Sequence, residues 1–313
     1  MMIKPILMSS FLALACACSQ SPTNNTSETA VESSTAPEAT APSSGAQVSV
    51  SLDDVLATLP DQAKARFQYR NPKETLEFFG VEPGMTVVDT TPGSIWYSGI
   101  LAKYLGPNGK VIGADRPLSV WEFFGPEYSP PEFLAERVNW PNTWPEERAA
   151  EQDENSASFD AIAFGTVSDE YADTADIVLI MREFHNIMAA DETDALALQV
   201  LGEIHMILKS DGVLGIVQHR APESASDEWA NGSYGYLKAS RLITLVETAG
   251  FVLEAESDVN ANPKDQPSEE DFVWRLPPDL TGSEEDPERR EQMLAIGESN
   301  RMTLKFRKVS RRS

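Results

Sequence analysis

The chain has 313 residues, with 49 acidic and 25 basic side chains and a net charge of −24. A surface this acidic repels nucleic acid and anionic lipid, so we exclude nucleic acid as the expected substrate. The two cysteines, Cys16 and Cys18, both lie near the start, so the body of the protein has no disulfide framework.

Residues 1–18 have the features of a bacterial lipoprotein signal peptide. Lys4 supplies a positive charge before the apolar run 6–15, which is shorter than the roughly 20 residues that a membrane-spanning helix needs. Cys16 and Cys18 both follow small residues, and either could be the acylated cysteine. We favour this interpretation over a plain secretory peptide, and we expect an exported protein held by a lipid anchor on the periplasmic face of a bacterial membrane.

Residues 19–46 are rich in Ser, Thr, Ala and Pro and have almost no bulky apolar side chains. Such a segment buries too little surface to offset the entropy lost on ordering, so we predict a disordered tether. Residues 47–313 have the length of one ordinary domain.

Within this domain, apolar runs bounded by glycine and proline alternate with helical patterns. An opening helical stretch at 52–80 comes first, and a strand–helix–strand unit then implies parallel pairing with a right-handed crossover. Residues 120–157 interrupt the alternation and are predicted to be an irregular insertion, a candidate lid. Strands are predicted at 84–90, 110–115, 159–167, 175–184, 212–220, 252–259 and 301–308, and helices at 97–109, 191–209 and 241–251.

The last two strands are separated by a polar loop containing prolines, without a helical pattern of the usual length. We therefore predict an α/β fold of the Rossmann-like type, with a mostly parallel seven-stranded sheet and an antiparallel C-terminal strand.

Acidic residues end the first two strands. Asp115 lies where a carboxylate would accept the two hydroxyls of a ribose, although a solvated turn aspartate would look the same. Asp89 would attract a cationic ammonium or sulfonium group and would repel a pyrophosphate. The turn after Asp89 also lacks the Gly-x-Gly-x-x-Gly pattern of dinucleotide sites. The third strand ends at Thr166, another candidate contact for the ligand.

The fourth and fifth strands end in Arg182, His185 and His219. A histidine in this position could act as a general base near neutral pH, whereas a packed histidine is the commoner structural alternative. Arg220 and Asn186 are near in sequence, and His205 falls inside an amphipathic helix. Three histidines without further cysteines give no metal-binding spacing.

Five stretches resemble, in this order, a group of bacterial class I S-adenosylmethionine-dependent methyltransferases, many of which are exported. They are YRNPKETLEFFGVEPGMTVVDTTPGSIWYSGILAKYL, MREFHN, GVLGIVQHRAP, NANPKD and AIGESNRMTLKFRK, and they extend from about 69 to 308 apart from the insertion. The resemblance implies the methyltransferase fold and S-adenosylmethionine as cofactor. Its cofactor-turn pattern is matched by Asp89, Pro92, Gly93, Trp96 and Tyr97.

The chain departs from the family pattern at three positions. Ile95 replaces a glycine of the turn, Glu183 replaces an asparagine and Gln218 replaces an aspartate. A β-branched isoleucine permits neither the positive φ nor the close approach to a cofactor that glycine permits.

Two functions follow from these observations. The first is methyl transfer to a small acceptor other than nucleic acid, with His185 or His219 removing a proton where the acceptor needs it. The second is a binding protein that keeps the fold without turnover, which the altered turn and the exported location favour. A nicotinamide-dependent oxidoreductase is a distant third.

Overall fold

The computed structural model describes residues 50–92 and 96–309. The predicted signal peptide, with Cys16 and Cys18, and the tether at 19–46 lie outside the described residues. Gly93 and Ile95 of the turn after the first strand also lie outside them.

One seven-stranded sheet forms the centre of the domain, with strand order β3-β2-β1-β4-β5-β7-β6. Neighbouring strands from β3 to β5 are parallel, and β7 lies antiparallel between β5 and β6. The predicted Rossmann-like fold is therefore confirmed, including the antiparallel C-terminal strand. The strands are β1 Thr86–Thr90, β2 Lys110–Asp115, β3 Ser158–Ala163, β4 Ala175–Met181, β5 Leu208–His219, β6 Phe251–Ser257 and β7 Arg301–Lys308.

Helices cover both faces of this sheet. None of the helices in the described part of the chain is long and apolar enough to cross a membrane. The helices are α1 Leu52–Ala57, α2 Asp61–Lys64, α3 Phe67–Arg70, α4 Pro72–Phe79, α5 Trp96–Leu105, α6 Leu118–Phe123, α7 Pro131–Ala149, α8 Phe184–Ala190, α9 Ala195–Ile207, α10 Ala239–Thr248 and α11 Pro287–Ile296.

The core has two layers, one on each side of the sheet. Val200, Leu201 and Ile204 of α9 are fully buried in the first layer, together with residues of α8 and α10. The second layer lies under α1, α4, α5 and α7. Because both faces of the central strands are covered, those strands are continuous apolar runs, which is why the sequence predicts them well.

Three predictions about the helical segments need correction. The stretch 52–80 is four short helices, because Pro60 begins a new helix and Asn71 has a left-handed φ of 37°. The helix predicted at 191–209 is shorter, and β5 follows α9 directly at Leu208. The polar loop before β7 contains α11, which begins at Pro287.

The insertion at 120–157 is also mostly helical rather than irregular. It contains the end of α6 and the whole of α7, a helix of 19 residues that has Pro141 and Pro145 in its interior. Trp140 and Trp144, one helical turn apart, are the buried residues of α7, and their rings lie 5.2 Å apart. They pack over Gly113 of β2, where a Cβ atom would come within 2.7 Å of the Trp144 ring.

The strand order also indicates where a ligand would bind. The chain moves outward from β1 to β2 and β3 on one side, and from β4 to β5 on the other. In open α/β sheets, ligands bind beyond the carboxyl ends of the strands at this change of direction. Most of the candidate residues lie at this edge.

Candidate functional site

Asp89, near the end of β1, is the most central of the candidate residues. Its carboxylate is 3% exposed and accepts a hydrogen bond from the Ser98 hydroxyl at 2.6 Å. Burial raises the pKa of Asp89 to about 6, against the opposing effects of Ser98 and Arg182. Within the described residues Asp89 makes no ion pair, and the neighbouring Thr90 hydroxyl is buried without a hydrogen-bond partner. In the described part of the chain, this end of the site therefore has an acid without an ion pair and a hydroxyl without a hydrogen-bond partner.

Asp115 ends β2 and is 2% exposed, but its carboxylate already has several partners. Both oxygens accept the indole N–H of Trp121 at 3.2 Å, and Oδ1 also accepts the backbone N–H of Arg116. The guanidinium of Arg137 lies 3.5 Å from Oδ2. Burial raises the pKa of Asp115, although these partners oppose the shift. The predicted ribose-binding carboxylate is thus covered by side chains of α6 and α7.

Arg116 connects the ends of β2 and β4. Its guanidinium pairs with Glu183 at 2.9 Å and lies 4.1 Å from the centre of the Trp121 ring, in cation–π geometry. Glu183 also accepts a hydrogen bond from the Asn186 side chain at 3.1 Å. Burial raises the pKa of Glu183 to about 7, although Arg116 opposes the shift. Glu183, one of the three departures from the pattern that the sequence resembles, is therefore the partner of a buried arginine.

Arg182 begins the turn after β4 with a left-handed φ of 63°. Its backbone N–H donates to the carbonyl oxygen of Val217 at 2.6 Å, which ties the ends of β4 and β5 together. The side chain is partly buried and has no hydrogen bond or ion pair with any residue of 50–92 or 96–309.

The structure brings His185 and His219 together, with ring centres 5.3 Å apart. Nδ1 of His185 lies 3.3 Å from the side-chain nitrogen of Gln218, which also donates to the carbonyl oxygen of Gly235. Nδ1 of His219 lies 2.5 Å from the Ser299 hydroxyl. Gln218, another departure from the pattern that the sequence resembles, thus helps to position the His185 ring.

Both imidazoles are buried, and burial is the main reason why their pKa values fall. The pKa of His185 is lowered to about 3, and that of His219 lies well below its usual value. Both rings are therefore neutral at pH 7 and act as hydrogen-bonding groups. Either would remove a proton effectively only if a bound ligand raised its pKa.

A buried group of charges that the sequence did not predict lies behind the histidines. Glu298 pairs with Arg66, Arg70 and Arg301, and Arg301 is 2% exposed. Burial lowers the pKa of Arg301 to about 10, and Glu298 opposes the shift. The only signal in the sequence is the stretch ESNR at 298–301, directly before β7.

The other predicted residues are more dispersed. Pro92 is buried beside the turn, and Gly93 lies outside the described residues. Trp96 packs against Phe67 with ring centres 6.1 Å apart, and its buried indole N–H has no hydrogen-bond partner in the part of the chain that the structure describes. Thr166 is exposed, and its hydroxyl donates to the carbonyl oxygen of Ala163. The Arg220 side chain points to the exposed Asp258, 3.9 Å away.

The residues near Asp89 fit the cationic end of S-adenosylmethionine better than those near Asp115 fit its ribose. Asp89 offers a buried carboxylate to a cation, and the Thr90 hydroxyl has no hydrogen-bond partner among residues 50–92 and 96–309. Asp115 has the right chemistry for ribose hydroxyls, but Trp121 occupies both of its oxygens. In the described part of the chain, no group of three or more His, Cys, Asp or Glu side chains could hold a metal ion.

No protein-family model matches the chain, and no curated protein matches it. A proposed methyltransferase from Haloferax volcanii, solved with the activator Trm112, is 18% identical over 84% of this chain and 100% of that chain, with a TM-score of 0.48. A SAM-dependent methyltransferase from Aquifex aeolicus is 19% identical over 64% and 93%, with a TM-score of 0.41.

A third similar structure is 1,6-didemethyltoxoflavin-N1-methyltransferase from Burkholderia thailandensis, solved with S-adenosylhomocysteine. It is 14% identical over 83% of this chain and 87% of that chain, with a TM-score of 0.41. All three likenesses concern the fold alone.

Proposed function

We propose that this chain is an S-adenosylmethionine-dependent methyltransferase that acts on a small acceptor other than nucleic acid. The observation that carries the proposal is Asp89, a buried carboxylate at the end of the central strand with no ion pair among the described residues. Burying a carboxylate without a cation costs free energy unless a ligand supplies the charge. A sulfonium or ammonium group would do so.

S-Adenosylmethionine, when bound, supplies a methyl group on a cationic sulfonium. Asp89 would hold the positively charged end of the cofactor, with Ser98 fixing the orientation of the carboxylate. Asp115 would hold the ribose hydroxyls after the Trp121 indole has moved away from it. The contribution of these residues is mainly to orient the reacting groups.

The acceptor would lie toward the ends of β4 and β5, near Arg182, His185 and His219. In each histidine, Nδ1 faces another side chain, Gln218 for His185 and Ser299 for His219. Nε2 can take a proton from an acceptor only in the tautomer that has Nδ1 protonated. Nδ1 would then donate to the Gln218 side-chain oxygen, 3.4 Å away, in His185 and to the Ser299 hydroxyl in His219. That role requires a ligand that raises the imidazole pKa, as a nearby negative charge does.

A second candidate is a binding protein with the methyltransferase fold and no turnover. The contacts of Asp115 with Trp121 and Arg137 favour it, because they occupy the carboxylate that we propose for the ribose hydroxyls. We also propose that the protein is an exported lipoprotein. This location agrees with the second candidate, since S-adenosylmethionine is made in the cytosol.

Calorimetry of S-adenosylmethionine and S-adenosylhomocysteine with the full chain separates the two candidates. We expect micromolar binding, on the order of −8 kcal/mol, that Asp115→Ala weakens at least about tenfold. Asp258→Ala, which removes an acid whose side chain is 86% exposed, is the matched control and should leave binding unchanged. No heat and no thermal stabilisation at millimolar ligand would reject the methyltransferase.

A further inference from the structure

Arg182 differs from the other arginines at this edge of the sheet. Arg116 pairs with Glu183, Arg275 with Asp265, and Arg301 with Glu298, each within a buried pair. The guanidinium of Arg182 has no such carboxylate among the described residues, although it is partly buried.

The surroundings of Arg182 contain too little negative charge to neutralise it. Asp89 is a carboxylate with which Arg182 interacts electrostatically, and it accepts the Ser98 hydroxyl. Glu298 is already shared by three arginines. The neutral histidines add no charge. The positive charge of Arg182 acts to lower the pKa values of five groups around it, which are Asp89, Tyr97, His185, His219 and Arg301.

This local excess of positive charge occurs in a chain whose net charge is −24. The overall field repels anions, so a cation kept without a partner at the strand ends indicates a local binding role. One free guanidinium balances a singly charged anion, whereas a phosphate dianion would leave an uncompensated charge. The planar, forked guanidinium also matches both oxygens of a carboxylate.

We propose that Arg182 binds a carboxylate group, which either the methyl acceptor or the amino-acid end of the cofactor carries. The inference rests on the proposed function for the identity of these two molecules. His185 and His219 lie beside the carboxylate position and offer further hydrogen bonds. Trp274, whose ring centre is 5.8 Å from that of His185, provides an aromatic surface for the body of an acceptor.

The test uses Arg182→Gln and Arg182→Lys in the full chain. The wild-type side chain makes no hydrogen bond or ion pair with a described residue, and glutamine or lysine bears about the same cost as arginine at the left-handed φ of 63°, so we expect both variants to fold. Arg290→Gln is the matched control, because it removes the same charge from an exposed position of α11. The probes are S-adenosylhomocysteine, 5′-methylthioadenosine, which lacks the amino-acid end, and benzoate as a simple carboxylate.

The two sources of the carboxylate give different results. If the carboxylate belongs to the cofactor, Arg182→Gln weakens the binding of S-adenosylhomocysteine at least about tenfold and leaves the binding of 5′-methylthioadenosine unchanged. If it belongs to the acceptor, Arg182→Gln leaves S-adenosylhomocysteine unchanged and abolishes benzoate binding to the cofactor-loaded protein. In either case Arg182→Lys retains part of the binding, because lysine keeps the positive charge but cannot bind both carboxylate oxygens as a planar guanidinium does.

Unchanged binding of both S-adenosylhomocysteine and benzoate in Arg182→Gln would overturn the inference, as would an equal effect of Arg290→Gln. Benzoate binding by a wild-type protein that does not bind S-adenosylhomocysteine, if lost in Arg182→Gln, would support the carboxylate site while rejecting the proposed function. A wild-type protein that binds neither probe would overturn both.

Discussion

At the scale of single residues, burial determines the chemistry of the site. Asp89 holds its proton up to about pH 6 in the folded protein, whereas an unburied aspartate loses it near 3.8. The folded state thus binds this proton more tightly than the unfolded state. The free energy of unfolding therefore falls as the pH rises from about 3.8 to about 6, and this loss stays constant at higher pH.

Asp89→Asn removes this titration and keeps an oxygen that can accept the Ser98 hydroxyl. Between pH 4 and 6, we expect the free energy of unfolding of the wild type to fall relative to the variant, by on the order of 3 kcal/mol. Urea unfolding of both proteins across this range measures the difference. Parallel pH dependences would show that Asp89 titrates normally.

Glu298 gives a second prediction at this scale. It is the shared partner of Arg66, Arg70 and Arg301, and its side chain is 3% exposed. Glu298→Gln leaves buried cations without a counter-charge, so we expect a loss of about 3–5 kcal/mol in the free energy of unfolding.

The matched control is Glu254→Gln, which breaks pairs with Arg307 and Lys305 at a side chain that is 34% exposed. We expect a loss of less than about 1 kcal/mol there. Equal losses in denaturant titrations of the two variants would contradict a special role for the buried arginine group.

The sequence predicts Asp89, Asp115, Arg182, His185 and His219 as site residues, because each lies at or just after the end of an apolar run. It did not identify Trp121, Arg137 and Ser299 as their partners, because these come from α6, α7 and the segment before β7. Which loop residues meet a strand end depends on packing that no local pattern encodes. The departures at Glu183 and Gln218 have partners that only the structure shows.

At the scale of elements, α6 controls access to Asp115, the carboxylate proposed to bind the ribose hydroxyls. Trp121→Phe removes the N–H that donates to Asp115 and keeps an aromatic ring over Arg116. Because a cofactor would no longer compete with this hydrogen bond, we expect the variant to bind S-adenosylhomocysteine several-fold more tightly in calorimetry, as expected for about 1 kcal/mol.

The control is Phe123→Ala, which truncates a side chain of α6 that is 48% exposed and should leave affinity unchanged. Weaker binding in Trp121→Phe would mean that the indole contacts the ligand and does not cover its site.

The packing of α7 against β2 supports a second prediction about elements. An alanine Cβ at position 113 would lie 2.7 Å from Trp144 and 2.9 Å from Trp140, so Gly113→Ala must push the helix away from β2. We expect a loss of about 1–3 kcal/mol in unfolding free energy.

Gly99→Ala in α5, where a Cβ would have no neighbour within 4 Å, is the matched control. It should stabilise by up to about 1 kcal/mol, since alanine favours a helix. A neutral Gly113→Ala in thermal or urea unfolding would show that α7 packs more loosely than the structure describes.

The strands were more predictable than the helices, for a physical reason. Central strands buried on both faces are short apolar runs that a sequence displays directly. α7 buries mainly Trp140 and Trp144 and contains two prolines, so neither its periodicity nor its propensities indicated a helix. The spacing of the two tryptophans by four residues was the available signal.

At the scale of the whole molecule, the alternation of strands and helices was sufficient to predict the fold. The seven strands, their parallel pairing and the reversed last strand follow from the order of apolar runs and the helices between them. The acidity of the chain, with a net charge of −24, predicts a substrate other than nucleic acid, and this stays a prediction. The same acidity gave no indication of the arginines at the strand ends. Local charge at a site is independent of the net charge around it.

The most direct test of the methyltransferase proposal is a crystal structure of the protein with S-adenosylhomocysteine. We predict the ligand at the carboxyl ends of β1, β2 and β4, with its ribose on Asp115, its ammonium group near Asp89 and the Trp121 indole displaced. Two results would contradict the methyltransferase proposal. One is a ligand bound elsewhere, and the other is a crystal grown at saturating ligand concentration that contains no ligand and in which Trp121 still donates to Asp115.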